Sequence, residues 1–198
     1  MNRIAIKERA KAQLGRNIFS TAWLVALAVC FVSGAINAAV NTIIPGIAAL
    51  ILTGPFAYGL NYIFLKQTRD GSPMNFTDMF KGFTDDIGQN ILIGLLSTLF
   101  TVLWGLLFVI PGIVKAYAYS FAYYVKADHP DYDWKRCIDE SIALTNGHKW
   151  ELFILDLSFI GWLIVGALCF GVGTLWVTPY MAASKSQFYN ELVSAPQI

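Results

Sequence analysis

Long apolar stretches with almost no charge dominate the pattern of hydrophobic and polar positions along this chain. Asn17–Leu65 contains no Lys, Arg, Asp or Glu. Ile87–Val125 contains only Lys115, and Leu152–Ser184 contains only Asp156. A helix needs roughly 20 apolar residues to cross a bilayer. Each stretch is therefore long enough for two membrane spans.

Each apolar stretch is interrupted near its middle, and glycine or proline contributes to every interruption. The interruptions lie at Asn41–Gly46, at Pro111-Gly112 and at Gly171–Gly173. Two spans per stretch give six predicted transmembrane helices, at approximately 17–40, 46–65, 88–110, 112–127, 150–170 and 172–192. The strands of a membrane barrel alternate over about 10 residues, whereas these stretches are continuously apolar. The pattern therefore predicts an all-α, polytopic integral membrane protein.

The basic residues predict the orientation of the six spans. They are Arg3, Lys7, Arg9, Lys11, Arg16, Lys66, Arg69, Lys81, Lys126, Lys135, Arg136, Lys149 and Lys185, with Lys115 apart from the rest. With six spans, all except Lys115 fall on one side. Because basic loops stay in the cytoplasm, we expect both termini in the cytoplasm of a bacterial plasma membrane. The alternative is a cleaved signal peptide ending near Ser33–Ala35, but the apolar stretch continues well beyond that point.

A short amphipathic segment precedes each apolar stretch. Apolar positions at helical spacing share a face in each segment, together with one serine. They are Ile6, Ala10 and Leu14; Phe76, Met79, Phe80 and Phe83; and Trp134, Ile138 and Ser141. Each segment ends near a glycine, at Gly15, Gly82 and Gly147. We expect three amphipathic helices lying at the cytoplasmic membrane interface.

The second predicted spans of the three stretches also resemble one another in sequence. Phe56-Ala57-Tyr58 resembles Tyr117-Ala118-Tyr119, and Pro179-Tyr180 matches Pro55-Phe56. We predict one membrane domain, 1–198, built from three units at about 1–70, 71–130 and 131–198, each an interfacial helix followed by a transmembrane hairpin. The alternative is that any six-span protein with cytoplasmic loops shows such spacing.

The composition narrows the class of protein and its partners. Of 198 residues, 14% are charged and 56% are hydrophobic, whereas soluble domains are about a quarter charged. These values exclude a disordered chain and a nucleic-acid-binding module, and they indicate the lipid bilayer, other membrane proteins or further copies of the chain as partners. Cys30, Cys137 and Cys169 are an odd number in apolar or cytoplasmic positions and are predicted to pack rather than to form disulfides.

Asp156 is the most informative polar position. It lies about 9 Å into the fifth predicted helix, where a carboxylate is costly unless it is paired or protonated. Lys185 lies at a similar depth on the antiparallel sixth helix, so the sequence predicts an Asp156–Lys185 ion pair. Two roles stay open for this pair: a staple that holds the hairpin together, and a proton or ion relay.

Other polar and aromatic residues are candidates for lining a polar site. They are Lys115, Tyr117, Tyr119, Tyr123, Tyr124, Asn61 and Asn90. Lys115 either extends to the outer headgroups or caps a polar site with Asn37 or Asn41. The tyrosines either line a groove or fill the core and the interfaces. The asparagines are equally consistent with interhelical hydrogen bonds.

Signatures of enzymes and metal sites are missing from the sequence. His129 and His148 are its only histidines, and no His-Glu-x-x-His helix occurs. Asp128, Asp131 and Asp133 either bind a divalent cation weakly or, as the neighbouring proline favours, form a turn and cap the next helix. We therefore expect no catalytic residues, no cofactor and no metal.

Several short motifs in the second half of the chain are distinctive together. They are Pro111–Ser120 (PGIVKAYAYS), Gly147–Trp150 (GHKW), Leu155–Trp162 (LDLSFIGW), Pro179-Tyr180 and Phe188-Tyr189. In this order, over about residues 80–192, they resemble an uncharacterised family of bacterial, mainly Gram-positive, integral membrane proteins, a domain-of-unknown-function group. The resemblance implies a multi-span plasma-membrane protein without an established activity, and it supplies no site residues.

Three functions follow as hypotheses. The first is a non-enzymatic membrane protein, acting as a scaffold, an accessory subunit or an envelope-homeostasis factor. The second is a small transporter or channel with a polar site near Asp156 and Lys185. The third is a lipid-modifying enzyme, for which the sequence offers no set of catalytic residues.

Overall fold

Helices make up most of the chain that the computed structural model describes, which is residues 3–15, 20–43, 47–168 and 172–194, and no strand occurs in those ranges. The first half contains α1 (Arg3–Gln13), α2 (Thr21–Ile43), α3 (Ile47–Asp70), a 3-10 helix (Phe76–Phe80), α4 (Lys81–Thr84) and α5 (Ile87–Leu107). The second half contains α6 (Val109–Tyr119), α7 (Ala122–Asp128), α8 (Trp134–Thr145), α9 (Lys149–Leu168) and α10 (Val172–Ser194). The all-α prediction is confirmed.

Two helical segments within the described residues are long and apolar enough to cross a membrane. They are Thr21–Ala39 in α2 and the whole of α5, Ile87–Leu107. Little of either segment is buried inside the bundle. The number of spans therefore stays a prediction at six. Two of the predicted interruptions, Asn41–Gly46 and Gly171–Gly173, lie partly outside the described residues, at 44–46 and at 171.

The predicted fourth span, 112–127, is divided into two helices, α6 and α7. The helical hydrogen bonding stops at Ser120 and Phe121, where the Ser141 hydroxyl of α8 donates to Ala118 O at 2.7 Å and accepts from Phe121 N at 3.2 Å. A buried backbone break requires such substitute partners. The continuous fourth helix is thus wrong in detail, because a side chain from a distant helix satisfies the backbone groups at the break.

The second amphipathic segment also differs from the prediction. It forms the 3-10 helix followed by α4, so Met79 is buried while Phe76 and Phe80 are about half-exposed. Gly82 lies inside α4, where a Cβ would collide with the backbone carbonyl of Pro55. Gly15 and Gly147 instead adopt the left-handed φ that favours glycine after a helix.

Two buried clusters form the core. The first joins α7, α8, α9 and α10 around Phe121, Leu155 and Phe188. The second joins α1, α2 and α3 around Leu14, Trp23 and Phe64. The predicted apolar positions of the first amphipathic segment are divided between the clusters: Ile6 belongs to the first cluster, and Ala10 and Leu14 belong to the second. Ile138, from the predicted face of α8, belongs to the first cluster.

Cationic side chains connect the helices at one end of the bundle, which we call the basic end. Arg9 of α1 pairs with Glu191 of α10 at 2.7 Å, and Lys66 of α3 pairs with Asp78 at 3.0 Å. The basic end contains the starts of α2, α5 and α9 and the ends of α3, α7 and α10. The opposite end, which we call the hairpin end, contains the ends of α2, α5 and α9 and the starts of α3, α6 and α10.

Glycines make close contacts in two pairs of helices at the hairpin end. A Cβ on Gly112 would lie 2.5 Å from Gly105 Cα, and a Cβ on Gly173 would lie 2.6 Å from Gly166 Cα. In each contact the two glycines are seven residues apart in the chain, and corresponding glycines of the two contacts are 61 residues apart. Close approach of small residues is a common way to pack helices in a membrane.

Candidate functional site

Asp156 of α9 and Lys185 of α10 lie in direct contact. Lys185 Nζ is 3.1 Å from Asp156 Oδ2, and the Tyr117 hydroxyl donates to the same oxygen at 3.3 Å. The other carboxylate oxygen, Oδ1, is buried without a hydrogen-bond partner. One carboxylate thus joins α6, α9 and α10, with one acceptor left unsatisfied.

Lys115 and Tyr119 lie away from that contact, on α6. Lys115 Nζ stands 5.4 Å from the centroid of the Trp104 ring, near the hairpin end. The Tyr119 ring packs against Phe100 at 6.4 Å. Asn37 donates to Ser33 O in its own helix, and the Asn41 side chain lies outside what the structure describes.

Tyr123 and Tyr124 point to different parts of the molecule. The Tyr123 hydroxyl donates to the backbone oxygen of Asn90 at 3.3 Å. The Tyr124 ring is buried and stacks on Tyr189 at 5.2 Å. The four tyrosines therefore do not line one groove: Tyr117 meets a carboxylate, Tyr119 and Tyr124 pack on rings, and Tyr123 reaches α5.

The two asparagines make hydrogen bonds to backbone carbonyls. Asn61 Nδ2 donates to Ala57 O at 2.8 Å, within its own helix. Asn90 is fully buried, and its Nδ2 donates to Gly82 O at 3.0 Å and to Asp85 O at 2.7 Å. Asn90 thus fastens the segment around α4 to the start of α5.

An open cavity of about 290 Å³ lies between α2, α3, α5 and α7. Its polar lining residues are Ser33, Asn37, Thr53, Ser97, Thr98 and Tyr123. None of the lining residues found in the described part of the chain carries a charge. Of the residues considered for a polar site, Tyr123 and Asn37 are among them, while Asp156, Asn61 and Asn90 are not.

A cluster that the sequence did not predict joins three helices at the basic end. Arg69 of α3 binds both carboxylate oxygens of Asp128, with Nη2 to Oδ2 at 2.7 Å. The same carboxylate accepts from the Tyr189 hydroxyl at 2.7 Å, and Arg69 Nε donates to Asn190 at 3.0 Å. Asp128 therefore serves as an ion-pair partner, and Asp133 caps α8 by accepting from Arg136 N.

Lys126 is a second feature that the sequence did not predict. Its side chain is 1% exposed, and Nζ donates to Asp86 Oδ2, Pro130 O and Tyr132 O at 3.0, 2.7 and 2.8 Å. A buried ammonium needs its three donors satisfied. One feature of the sequence could have indicated the burial of Lys126. The residue directly follows the apolar Tyr123–Val125, so it lies in the last turn of a helix rather than in a loop.

Three glutamines occupy a groove of about 750 Å³ at the basic end. Gln13 Nε2 donates to Gln67 Oε1 at 3.1 Å, and Gln187 Nε2 donates to Gln13 Oε1 at 3.0 Å. Gln67 is buried. The carboxamides therefore tie α1 to α3 and α10.

Titratable groups at the basic end are shifted by their surroundings. Burial and the neighbouring Lys11 lower the pKa of Lys7, whose Nζ lies 4.2 Å from the Phe159 ring centroid. A hydrogen bond to Tyr62 raises the pKa of Lys81. Burial raises the pKa of the Cys137 thiol to about 11. Cys169 lies outside the described residues.

No group of three or more His, Cys, Asp or Glu side chains able to hold a metal occurs in the described ranges. His129 stacks on Tyr132 at 4.4 Å, and His148 Nδ1 lies 3.0 Å from Glu151 Oε2.

These features define an all-helical bundle with an ion-paired end, apolar outer faces and an uncharged cavity. Residues 106–195 match the family model described as Protein of unknown function (DUF975). The match runs from the end of α5 through α10 and contains all five motifs of the resemblance. The match begins at residue 106, whereas the resemblance was predicted to begin at about residue 80. Neither a curated protein nor a solved structure matches the chain.

Proposed function

We propose that this chain is a six-span bacterial plasma-membrane protein that acts as a non-enzymatic scaffold or accessory subunit. The observation that carries the membrane assignment is the apolar side chains on the outside of the bundle. On α5, α6 and α9, and between α5 and α6, these include Leu103, Leu106, Phe108, Val109, Ile110, Trp162 and Ile164. Leu106 is 88% exposed and Ile110 is 75% exposed. Soluble monomers rarely expose apolar patches of more than a few hundred Å².

Apolar side chains beside the basic end support the interfacial segments. Ile4 on α1, Phe76 and Phe80 in the 3-10 helix, and Trp150 at the start of α9 are exposed. Aromatic and apolar residues next to lysines are typical of the headgroup region. The matching Gly105/Gly112 and Gly166/Gly173 contacts support repetition of the second and third units.

The scaffold role is supported by how the ionisable groups are used. Asp156, Lys126 and Asp128 each connect two or more helices through hydrogen bonds or ion pairs. A carboxylate held in this way stabilises the bundle, and one pair does not make a conduction pathway.

Topology can be tested with single cysteines in a chain whose native cysteines are replaced. We expect a membrane-impermeant maleimide to label Thr42→Cys on intact cells and to label Lys135→Cys only after permeabilisation. Thr42 is an exposed polar residue at the end of α2, opposite to the basic end, and Lys135 is exposed on α8. The chain should also remain in the membrane fraction after alkaline carbonate extraction. Labelling of both positions from outside, or recovery as a soluble globule, contradicts the proposal.

A proton or ion transporter is the second candidate, favoured by the unsatisfied Asp156 Oδ1. The two candidates differ in flux. In liposomes with a trapped pH dye, a scaffold gives the same proton leak as empty liposomes. A relay through Asp156 gives a larger flux that Asp156→Asn abolishes. Flux that survives in Asp156→Asn contradicts the relay at that residue.

A further inference from the structure

The uncharged cavity between α2, α3, α5 and α7 lies deep along the helices that line it. Ser33 is about 18 Å along α2 from Thr21, and Ser97 is about 15 Å along α5 from Ile87. The hydrocarbon core of a bilayer is roughly 30 Å thick. If the chain spans the bilayer as proposed, the cavity therefore lies near the middle of the membrane.

Three hydroxyl groups around the cavity, those of Ser33, Ser97 and Tyr123, are poorly satisfied. The Ser97 Oγ is buried without a hydrogen-bond partner. The Ser33 Oγ donates to the thioether of Met79 at 3.4 Å, which is a weak acceptor. The Tyr123 hydroxyl makes one long bond, 3.3 Å, to Asn90 O. Polar groups in an apolar medium are costly until they find good partners.

Glycines hold space open beside the Tyr123 hydroxyl. A Cβ on Gly54 would lie 3.2 Å from this oxygen, and a Cβ on Gly94 would collide with it. The phenol can therefore reach the cavity between α3 and α5 only because these two positions lack side chains. It retains the capacity to accept a hydrogen bond from a ligand.

The cavity opens between apolar walls. Thr98 on its rim is exposed, and the helices on either side expose Phe31 and Val32 on α2 and Leu99 and Phe100 on α5. A ligand that enters there meets an uncharged polar centre and apolar flanks. An anionic or cationic headgroup would have no counter-ion among the described lining residues.

We infer that this cavity binds the uncharged, hydroxyl-bearing head of a neutral membrane lipid, of the diacylglycerol class. The head donates to and accepts from the lining hydroxyls, and its chains lie along the exposed walls of α2 and α5. A volume of about 290 Å³ accommodates a glycerol-sized head. The inference rests on the proposed membrane assignment and adds a ligand to it.

The experiment uses the full chain in phosphatidylcholine nanodiscs that contain a diacylglycerol with a photoactivatable diazirine. We expect crosslinks to be concentrated on residues 53–60 and 94–98 rather than on 102–110, which is exposed to bulk lipid. Ala57→Leu fills the cavity and should lower this crosslinking about tenfold. Replacing both Ser33 and Ser97 by alanine should lower it at least about fivefold, the effect expected from one hydrogen bond.

Thr101→Val is the matched control, because Thr101 lies one turn beyond Ser97 and donates to Ser97 O within α5. It should leave the crosslinking unchanged. Equal crosslinking on 94–98 and 102–110, or insensitivity to Ala57→Leu, overturns the inference. Displacement by excess free glycerol also overturns it, because a soluble polyol would then be the ligand. Each variant is first shown to resist carbonate extraction, so that loss of the membrane assignment is distinguished from loss of the lipid site.

Discussion

The basic end and the hairpin end of the bundle are held together by different interactions. At the basic end, charged side chains link helices, as Lys126 does with Asp86 and Arg69 does with Asp128. At the hairpin end, glycine backbones approach each other closely, as Gly112 approaches Gly105, and Lys115 lies against the Trp104 ring without an ion-pair partner among the described contacts. A charged group in an apolar surrounding is costly unless it is paired, whereas small residues let helix backbones pack closely without any charge.

If the chain spans the bilayer as proposed, the difference reflects two surroundings of the same bundle, one aqueous and one apolar. Charge pairs at the basic end specify which helices meet and tolerate some exposure. Steric fit at the hairpin end leaves no room for a Cβ on Gly112 or on Gly173. Two kinds of substitution test this difference: removal of a charge at the basic end and addition of a methyl group at the hairpin end.

The largest expected effect comes from Lys126→Met. The substitution keeps the volume but leaves Pro130 O and Tyr132 O without their donor, and it separates α7 from Asp86. Breaking a buried ionic network typically costs about 3 kcal/mol. We expect the free energy of unfolding in mixed micelles to fall by about that amount. Lys135→Met, at an exposed position on α8, is the control and should be nearly neutral.

The second effect tests the hairpin end. Gly112→Ala places a Cβ 2.5 Å from Gly105 Cα, so the hairpin of α5 and α6 must open. Overpacking of this kind costs about 2 kcal/mol. The matched control is Gly105→Ala on the facing helix. Its added Cβ would have no atom within 4 Å, so this substitution should be neutral. Equal effects of both substitutions, measured by thermal unfolding in detergent, would contradict steric closure.

The third effect concerns the Asp156–Lys185 pair, which is partly exposed. Reversing the charge of either residue should cost about 1 kcal/mol, the upper part of the range for ion pairs that are not fully buried. Reversing both should restore most of the loss, and a double-mutant cycle measures the coupling. A coupling near zero would mean that Tyr117, rather than Lys185, is the partner that matters to Asp156.

The sequence predicted the helical class because long charge-free stretches leave few alternatives. It also placed Asp156 and Lys185 at equal depths on antiparallel helices, and they are in contact. It could not predict the break at Ser120, because the segment around it is compatible with a continuous helix. The break depends on Ser141, which only the tertiary structure brings there.

The candidate sites also divide into features that the sequence predicts and features that only the tertiary structure creates. Lys126 was predicted only as one of the basic residues on the cytoplasmic side, because a sequence does not show that three acceptors converge on one ammonium. The cavity was not predicted, because its walls come from four helices and its space depends on Gly54 and Gly94. Contacts between neighbouring helices at matched depth are readable from sequence, whereas sites assembled from distant segments are not.

The smallest expected effect tests whether charge pairing at the basic end depends on pH. The hydrogen bond and the charge of Asp78 raise the pKa of Lys66 above its ordinary value of 10.5. A raised pKa in the folded state means that the pair stabilises the fold below pH 10.5 and that this contribution is lost as the pH rises through the folded-state pKa. The expected contribution is about 0.5 kcal/mol. The difference in thermal midpoint between the native chain and Lys66→Met should therefore shrink between pH 9 and 11.5, whereas the difference for Lys135→Met should stay near zero throughout. A difference for Lys66→Met that is constant with pH would mean that its stem, rather than its charge, stabilises the end of α3.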